Sequence, residues 1–184
     1  MQDFIQRVVR QALHERRLVG VEVMVTHHGQ TIFHQAAGYA DRETQRLMTL
    51  NTRFRLASVS KPIVTTAAMV LVQQGKLHLD DVVTRYLPEF TPSLPDGGQA
   101  TITLRQLMSH SAGLGYRFLE EDANGPYARA GVSDGMDASG VTLKENVRRI
   151  ATVPLLYAPG TAWCYSLAID VLGAVIEQDR KSVV

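Results

Sequence analysis

From Pro62 to Gly75 the chain runs PIVTTAAMVLVQQG without one charged residue. A helix that is apolar on every face offers no side to water, so this run calls for burial all round by other elements. It is too short to cross a bilayer, and it contains Thr and Gln. The constraint is therefore a globular one, with the rest of the chain enclosing this helix and Gly75 closing its C-terminus. A composition of 45% hydrophobic and 20% charged residues, with a mean hydropathy of -0.05, fits such a domain. A net charge of +1 gives no electrostatic reason to expect nucleic acid or an acidic membrane as partner. The single cysteine, Cys164, excludes an intrachain disulfide and gives no second thiolate for a metal site.

Around that helix the order of elements can be read from spacing. Ile5, Val9 and Leu13 fall on one helical face near the N-terminus, which has no apolar run of the secretory kind. A soluble, cytoplasmic protein is the expectation, provided the gene start is not upstream. Val21–Thr26 and Thr31–Ala36 flank His28-Gly29 and read as a hairpin. Residues 52–56 form a short extended lead into the uncharged helix, which should start near Ser58. Thr103 with Gln106, and Thr142 with Glu145, have capping-box spacing and should open helices at about 104–110 and 143–151. Residues 112–141, rich in Gly, Asp and Ala, read as a long lid-like loop. Ser166 can cap a last apolar helix. No further strand is evident, and a two-stranded hairpin is marginal alone, so something must complete the sheet.

The chemistry is concentrated where the uncharged helix begins, at Ser58-Val59-Ser60-Lys61. Side chains three apart on a helix face the same way, so the Lys61 amine can reach the Ser58 hydroxyl. It could take that proton if desolvation or nearby positive charge lowered its pKa. The N–H groups at the helix start suit an oxyanion, and Pro62 falls where a missing N–H costs little. By itself the pattern leaves an equal alternative, a capping serine before a solvated lysine.

Longer segments decide between these. FRLASVSKPIVTTAAMVLVQQGKLHLDDVVTRYLPEF resembles the nucleophile region of the serine β-lactamase and penicillin-binding-protein superfamily, as found in class C β-lactamases, D-Ala-D-Ala peptidases and related esterases. ITLRQLMSHSAGLGY resembles the helix and turn that follow there, and LLYAPGTAWCYSLAIDVLGAVIE resembles the segment around the family's Tyr-x-Asn motif. The resemblance implies an α+β fold, represented by its N-terminal strands and helical region over residues 1–178. It implies Ser58 as nucleophile, with its backbone N–H as half of the oxyanion hole, Lys61 as its partner, and Tyr165 as the phenol that passes protons with Lys61. Leu167 stands where β-lactamases and peptidases carry Asn, at the position that contacts substrate. An apolar residue there is similar to family VIII carboxylesterases. The expected reaction is therefore hydrolysis of a small-molecule ester through an acyl-enzyme. A β-lactamase or D-Ala-D-Ala carboxypeptidase is the alternative, and a non-catalytic binding protein or unfolded fragment an alternative of another class. No cofactor or metal is implied, and the oligomeric state is not legible.

Other groups are weaker candidates. Ser133-Asp134-Gly135 faintly resembles the Ser-Asp-Asn motif of other β-lactamases but falls in the expected loop. His27-His28 marks the hairpin turn, and His110 at a helix end is explained by the helix dipole. There is no G-x-S-x-G elbow, P-loop or dinucleotide fingerprint. The family's third motif, Lys-Thr-Gly or a His/Trp-Gly variant, is absent after Tyr165. Asp179–Val184 breaks the resemblance and back-translates as GAT CGG AAG AGC GTC GTG, one frame of a common sequencing adaptor. A non-native tail from 179 to 184 is expected, with a genuine short paralogue as the alternative, and a chain ending there should be inactive.

Overall fold

The computed structural model describes residues 1–181, with side chains through residue 178. The last three residues of the expected foreign tail, and the side chains before them from Asp179 on, lie outside the described residues. The chain divides into two compact units, residues 1–56 and residues 57 onward.

The first unit is a helix and a small antiparallel sheet. α1 (Gln2–His14) forms where the four-residue spacing placed it, with Ile5, Val9 and Leu13 half-buried and Ala12 buried. Gln2 donates to the Ile32 carbonyl at 2.8 Å, tying α1 to the sheet. β1 (Gly20–His27) and β2 (Gln30–Asp41) pair through a two-residue turn in which His28 and Gly29 both have positive φ, 49° and 76°. Two left-handed residues match the natural strand twist, and Gly at the second removes the side-chain penalty. The sheet also has an unexpected third strand: β3 (Arg46–Leu47) pairs back onto Tyr39 and Asp41. It is too short to show an alternating pattern. The Asp41 carboxylate makes it possible by accepting from the Glu43 and Thr44 N–H groups, which turns the chain. The order is β1-β2-β3.

The second unit is helical. A 3₁₀ turn (Ala57–Val59) leads into α2 (Ser60–Gln73), so the regular helix starts two residues after the expected Ser58. Pro62 explains the delay: it has no N–H to donate to the carbonyl of residue 58, and the first turn tightens instead. Then follow α3 (Leu104–Met108), α4 (Pro126–Arg129), α5 (Leu143–Ile150) and α6 (Ala168–Lys181). α6 is the spine, packed against α2, α3 and α5. Its Val171, Leu172 and Val175 are fully buried beside Leu107 and Ile150. The capping box at Thr103 is complete, whereas at Thr142 only half forms, because the Glu145 carboxylate turns to Arg148 and Arg149.

Two expectations are corrected here. α2 is not buried on all sides: Ala68 is its one buried residue, while Ile63 is 58% and Val70 44% exposed. α6 covers one face of α2, and no described residue of this unit covers the other. Nor is 112–141 an open lid. Tyr127 is buried and its hydroxyl accepts from the Gly115 N–H at 2.7 Å. Asp134 accepts from the N–H groups of Arg117 and Phe118, Glu120 from those of Tyr127 and Ala128, and Asn146 brackets the backbone of Ser133. Side chains here take the place of a ladder, which satisfies buried backbone groups without regular structure.

Candidate active site

Ser58, Lys61 and Tyr165 come together. Ser58 is exposed in the 3₁₀ turn, and α2 has no side-chain N-cap. Its hydroxyl is therefore not spent as a helix cap, which removes the alternative that the motif alone left open. Lys61 Nζ lies 3.4 Å from Ser58 Oγ. Ala57, directly before Ser58, has a φ of 46°, a strained conformation for an alanine and of the kind that gathers at functional sites.

The other wall is a chain segment held by backbone pairing. Residues 110–115 bond to residues 156–167 through Leu156 N–H to Gly113 O (2.7 Å), Gly160 N–H to Ser111 O (2.8 Å), Cys164 N–H to His110 O (3.0 Å) and Leu167 N–H to Gly115 O (3.2 Å). Gly113 is required there: its φ is 84°, and a Cβ would fall 2.4 Å from the Tyr157 carbonyl oxygen. This pairing sets Tyr116 against Tyr165, ring centroids 5.3 Å apart and stacked. Lys61 Nζ lies between the two phenols, 5.3 Å from the Tyr116 centroid and 5.0 Å from that of Tyr165.

The electrostatics separate the two tyrosines. Burial pushes the Tyr116 phenol up, and the Lys61 charge only partly opposes it. Burial also pushes Tyr165 up, but hydrogen bonds with Ser58 and Lys61, together with the Lys61 charge, bring it below its usual 10.0. Lys61 itself departs from expectation. Burial pulls its ammonium down, yet hydrogen bonds to Tyr116 and Tyr165 outweigh that and hold it above the usual 10.5. The amine that the sequence reading required to be neutral is held as a cation, because it faces two phenol oxygens rather than other positive charges. Groups with environments that push their pKa values apart mark the acid and base of a site. Here the Lys61 charge favours ionisation of the Tyr165 phenol, while burial disfavours it at Tyr116.

Three neighbours escaped the sequence reading. Tyr116 lies inside a segment quoted for its resemblance but had no signal of its own. Asp170, in the first turn of α6, is pushed up by burial against the opposing Lys61 charge. His110, expected only to complement a helix dipole, stands in the site. It follows α3 at a φ of 55°, its N–H donating to Leu107 O and the Ser111 N–H to Gln106 O. That is the left-handed C-terminal turn usually given to glycine, and a non-glycine there costs about 1–2 kcal/mol. Its ring lies 5.0 Å from Tyr165 and 6.2 Å from Trp163.

Leu167 also differs from expectation. Its side chain is 1% exposed and belongs to the core, because the residue that bonds to Gly115 O leads straight into the buried start of α6. Ser133 and Asp134 hold the 112–141 segment together, Ser133 through Asp137 and Asn146. His27 ends β1, and His28 forms the hairpin turn with Gly29. Among the described residues no group of three His, Cys, Asp or Glu is placed to hold a metal ion, and no helix is long and apolar enough to cross a membrane.

The profile of the Beta-lactamase family matches residues 5–178. This chain belongs to the Beta-lactamase family. Esterase EstB of Burkholderia gladioli is 52% identical over 174 residues, covering 95% of this chain and 44% of its own. The solved structure of EstCE1, described as a hydrolase with promiscuous acyltransferase activity, superposes with a TM-score of 0.93 at 52% identity, over 96% of this chain and 46% of that one. The octameric penicillin-binding protein homologue from Pyrococcus abyssi, at 24% identity, has a TM-score of 0.74 over 97% of this chain and 39% of its own. This Beta-lactamase-family chain thus has the α+β fold of serine β-lactamases and penicillin-binding proteins, and spans about half the length of the relatives it matches.

Proposed function

We propose that the whole protein is a serine hydrolase of carboxylic esters working through an acyl-enzyme on Ser58. The observation that carries this reading is the Ser58–Lys61–Tyr165 cluster with its phenol drawn down and its ammonium held up. Tyr165 takes the Ser58 proton as Oγ bonds to the substrate carbonyl carbon, and the Ser58 N–H receives the developing oxyanion. Collapse breaks the bond to the alkoxy group, and Tyr165 returns the proton to the departing alcohol. Water then attacks the acyl carbon, Tyr165 takes a proton from it, and the acid leaves as Ser58 regains its hydrogen. Lys61 stays charged throughout and holds the phenolate; Tyr116 donates to the same cluster.

The ester preference is supported by the likeness to Esterase EstB, and the likeness to the hydrolase EstCE1 agrees with it. The apolar surroundings agree: Trp163, Phe118 and Leu119 are exposed, with Phe118 4.6 Å from Tyr116 and Trp163 beside His110. A serine-directed phosphonate should label Ser58 in the whole protein, and Ser58→Ala should lose both the label and turnover of p-nitrophenyl esters. Labelling at another serine would overturn the nucleophile. Turnover of a chromogenic cephalosporin as fast as that of the esters would overturn the substrate class.

A further inference from the structure

Tyr165 owes its place to the residues on either side of it, and both are held by one residue. The main-chain carbonyl of His110 accepts from the Cys164 N–H at 3.0 Å. The ring of the same histidine takes hold of Ser166: its Nδ1 lies 3.3 Å from the Ser166 N–H and 3.2 Å from Ser166 Oγ. Ser166 Oγ in turn accepts from the Ala168 N–H at 3.4 Å, at the start of α6. The imidazole lies against the Tyr165 ring at a tilt of 44°.

Any residue could supply the carbonyl. The ring bonds need a particular tautomer, because a backbone N–H can only donate. Nδ1 must therefore present a lone pair, and the proton of the neutral ring lies on Nε2. A protonated ring would set N–H against N–H and break the hold on Ser166. We infer that His110 is a positioning residue for Tyr165 that works only as the Nε2–H neutral tautomer, so that acid uncouples the base from Ser58 by releasing the Ser166 peptide. The inference rests on the proposed role of Tyr165 as base.

The surroundings agree. Ser166 is buried, so its N–H has no water to fall back on. The groups facing the ring are Tyr165 and Trp163 from the segment before α6 and Lys61 from α2, with the Tyr157 hydroxyl donating to the His110 carbonyl. With the Tyr165 phenol protonated, as it is at acid pH, Lys61 alone among these carries a full charge, and it is positive. Burial first, and then Lys61, lower the imidazole below its ordinary 6.5. For a base with a depressed folded pKa, the neutral form is secure above 6.5, and the hold is lost as pH falls through the lower folded value.

The experiment compares His110→Asn and His110→Phe with the native whole protein. Asn tolerates the left-handed backbone and keeps an acceptor that does not titrate. Phe keeps the ring but has no acceptor. In the native protein, log kcat/KM for a p-nitrophenyl ester should fall with slope one as Tyr165 protonates and steepen toward two below pH 6.5. His110→Asn should keep the neutral-pH rate within about tenfold and lose the steepening. His110→Phe should lower kcat about 10²-fold, with KM moved far less, as a displaced base does. Steepening retained in His110→Asn, or full activity in His110→Phe, overturns the proposal. Ring nitrogen NMR of the native protein gives a readout free of Ser58 chemistry: His110 should show Nδ1 unprotonated at neutral pH, and a protonated Nδ1 overturns it even where a variant fails to fold. An expected tautomer without ester turnover would instead put the failure on the hydrolase reading.

Discussion

At the scale of single residues, the site is a cluster of Ser58, Lys61 and Tyr165 in which the Lys61 ammonium draws the Tyr165 phenol below its usual pKa. The direction of each pKa makes this testable. Removing the ammonium by Lys61→Gln takes away both the hydrogen bond and the charge that lower Tyr165, so the phenol must rise. The acid limb of kcat/KM should move to higher pH, and the rate at neutral pH should drop by something on the order of 10²-fold. A limb that stays in place would mean that Tyr165 is not the titrating base. That Ser58, Lys61 and Tyr165 come together could be read in the sequence because each lies within a short, motif-bearing segment. His110 could not, since it meets Ser166 across 56 positions and only through a left-handed turn that a histidine does not advertise. The charge state of Lys61 was hidden for the same reason: the two phenols that decide it belong to segments far along the chain.

Among the elements, those with local causes were legible. The hairpin turn at His28-Gly29, the Thr103 cap and the start of α6 each follow from neighbours in sequence. β3 and the 112–141 segment follow from contacts instead, and composition misleads there, because Gly, Asp and Ala suggest a loose loop where side chains cap and fill. Tyr127 is the test of that segment. Burial pushes its phenol to about 12, and its oxygen is the partner of the Gly115 N–H. Tyr127→Phe keeps the ring but strands a buried donor, so denaturant unfolding should show a loss of about 1–3 kcal/mol. Since Gly115 also accepts from the Leu167 N–H, the activity should become more temperature-sensitive than that of the native protein. No change in the midpoint would show that the 112–141 segment is held by other means.

At the scale of the whole molecule, the described surfaces are unequal. Ile63, Met69 and Val70 of α2 stand 43–58% exposed, and in a sheet ordered β1-β2-β3 the outer edge of β1 has no described partner. Apolar faces and free strand edges of this kind attract other chains. A segment of residues 1–178 expressed alone should therefore bind a hydrophobic dye, lack a cooperative melt and turn over no p-nitrophenyl ester. A sharp melt with esterase activity would show that the two units suffice.

The stacked pair Tyr116 and Tyr165 also has an optical consequence. Phenol and phenolate absorb ultraviolet light at different wavelengths, and here one ring of the pair is held toward ionisation while the other is held away from it. The cluster is in effect its own indicator dye. Its colour change in the ultraviolet follows the proton on Tyr165, with no substrate added and no label attached.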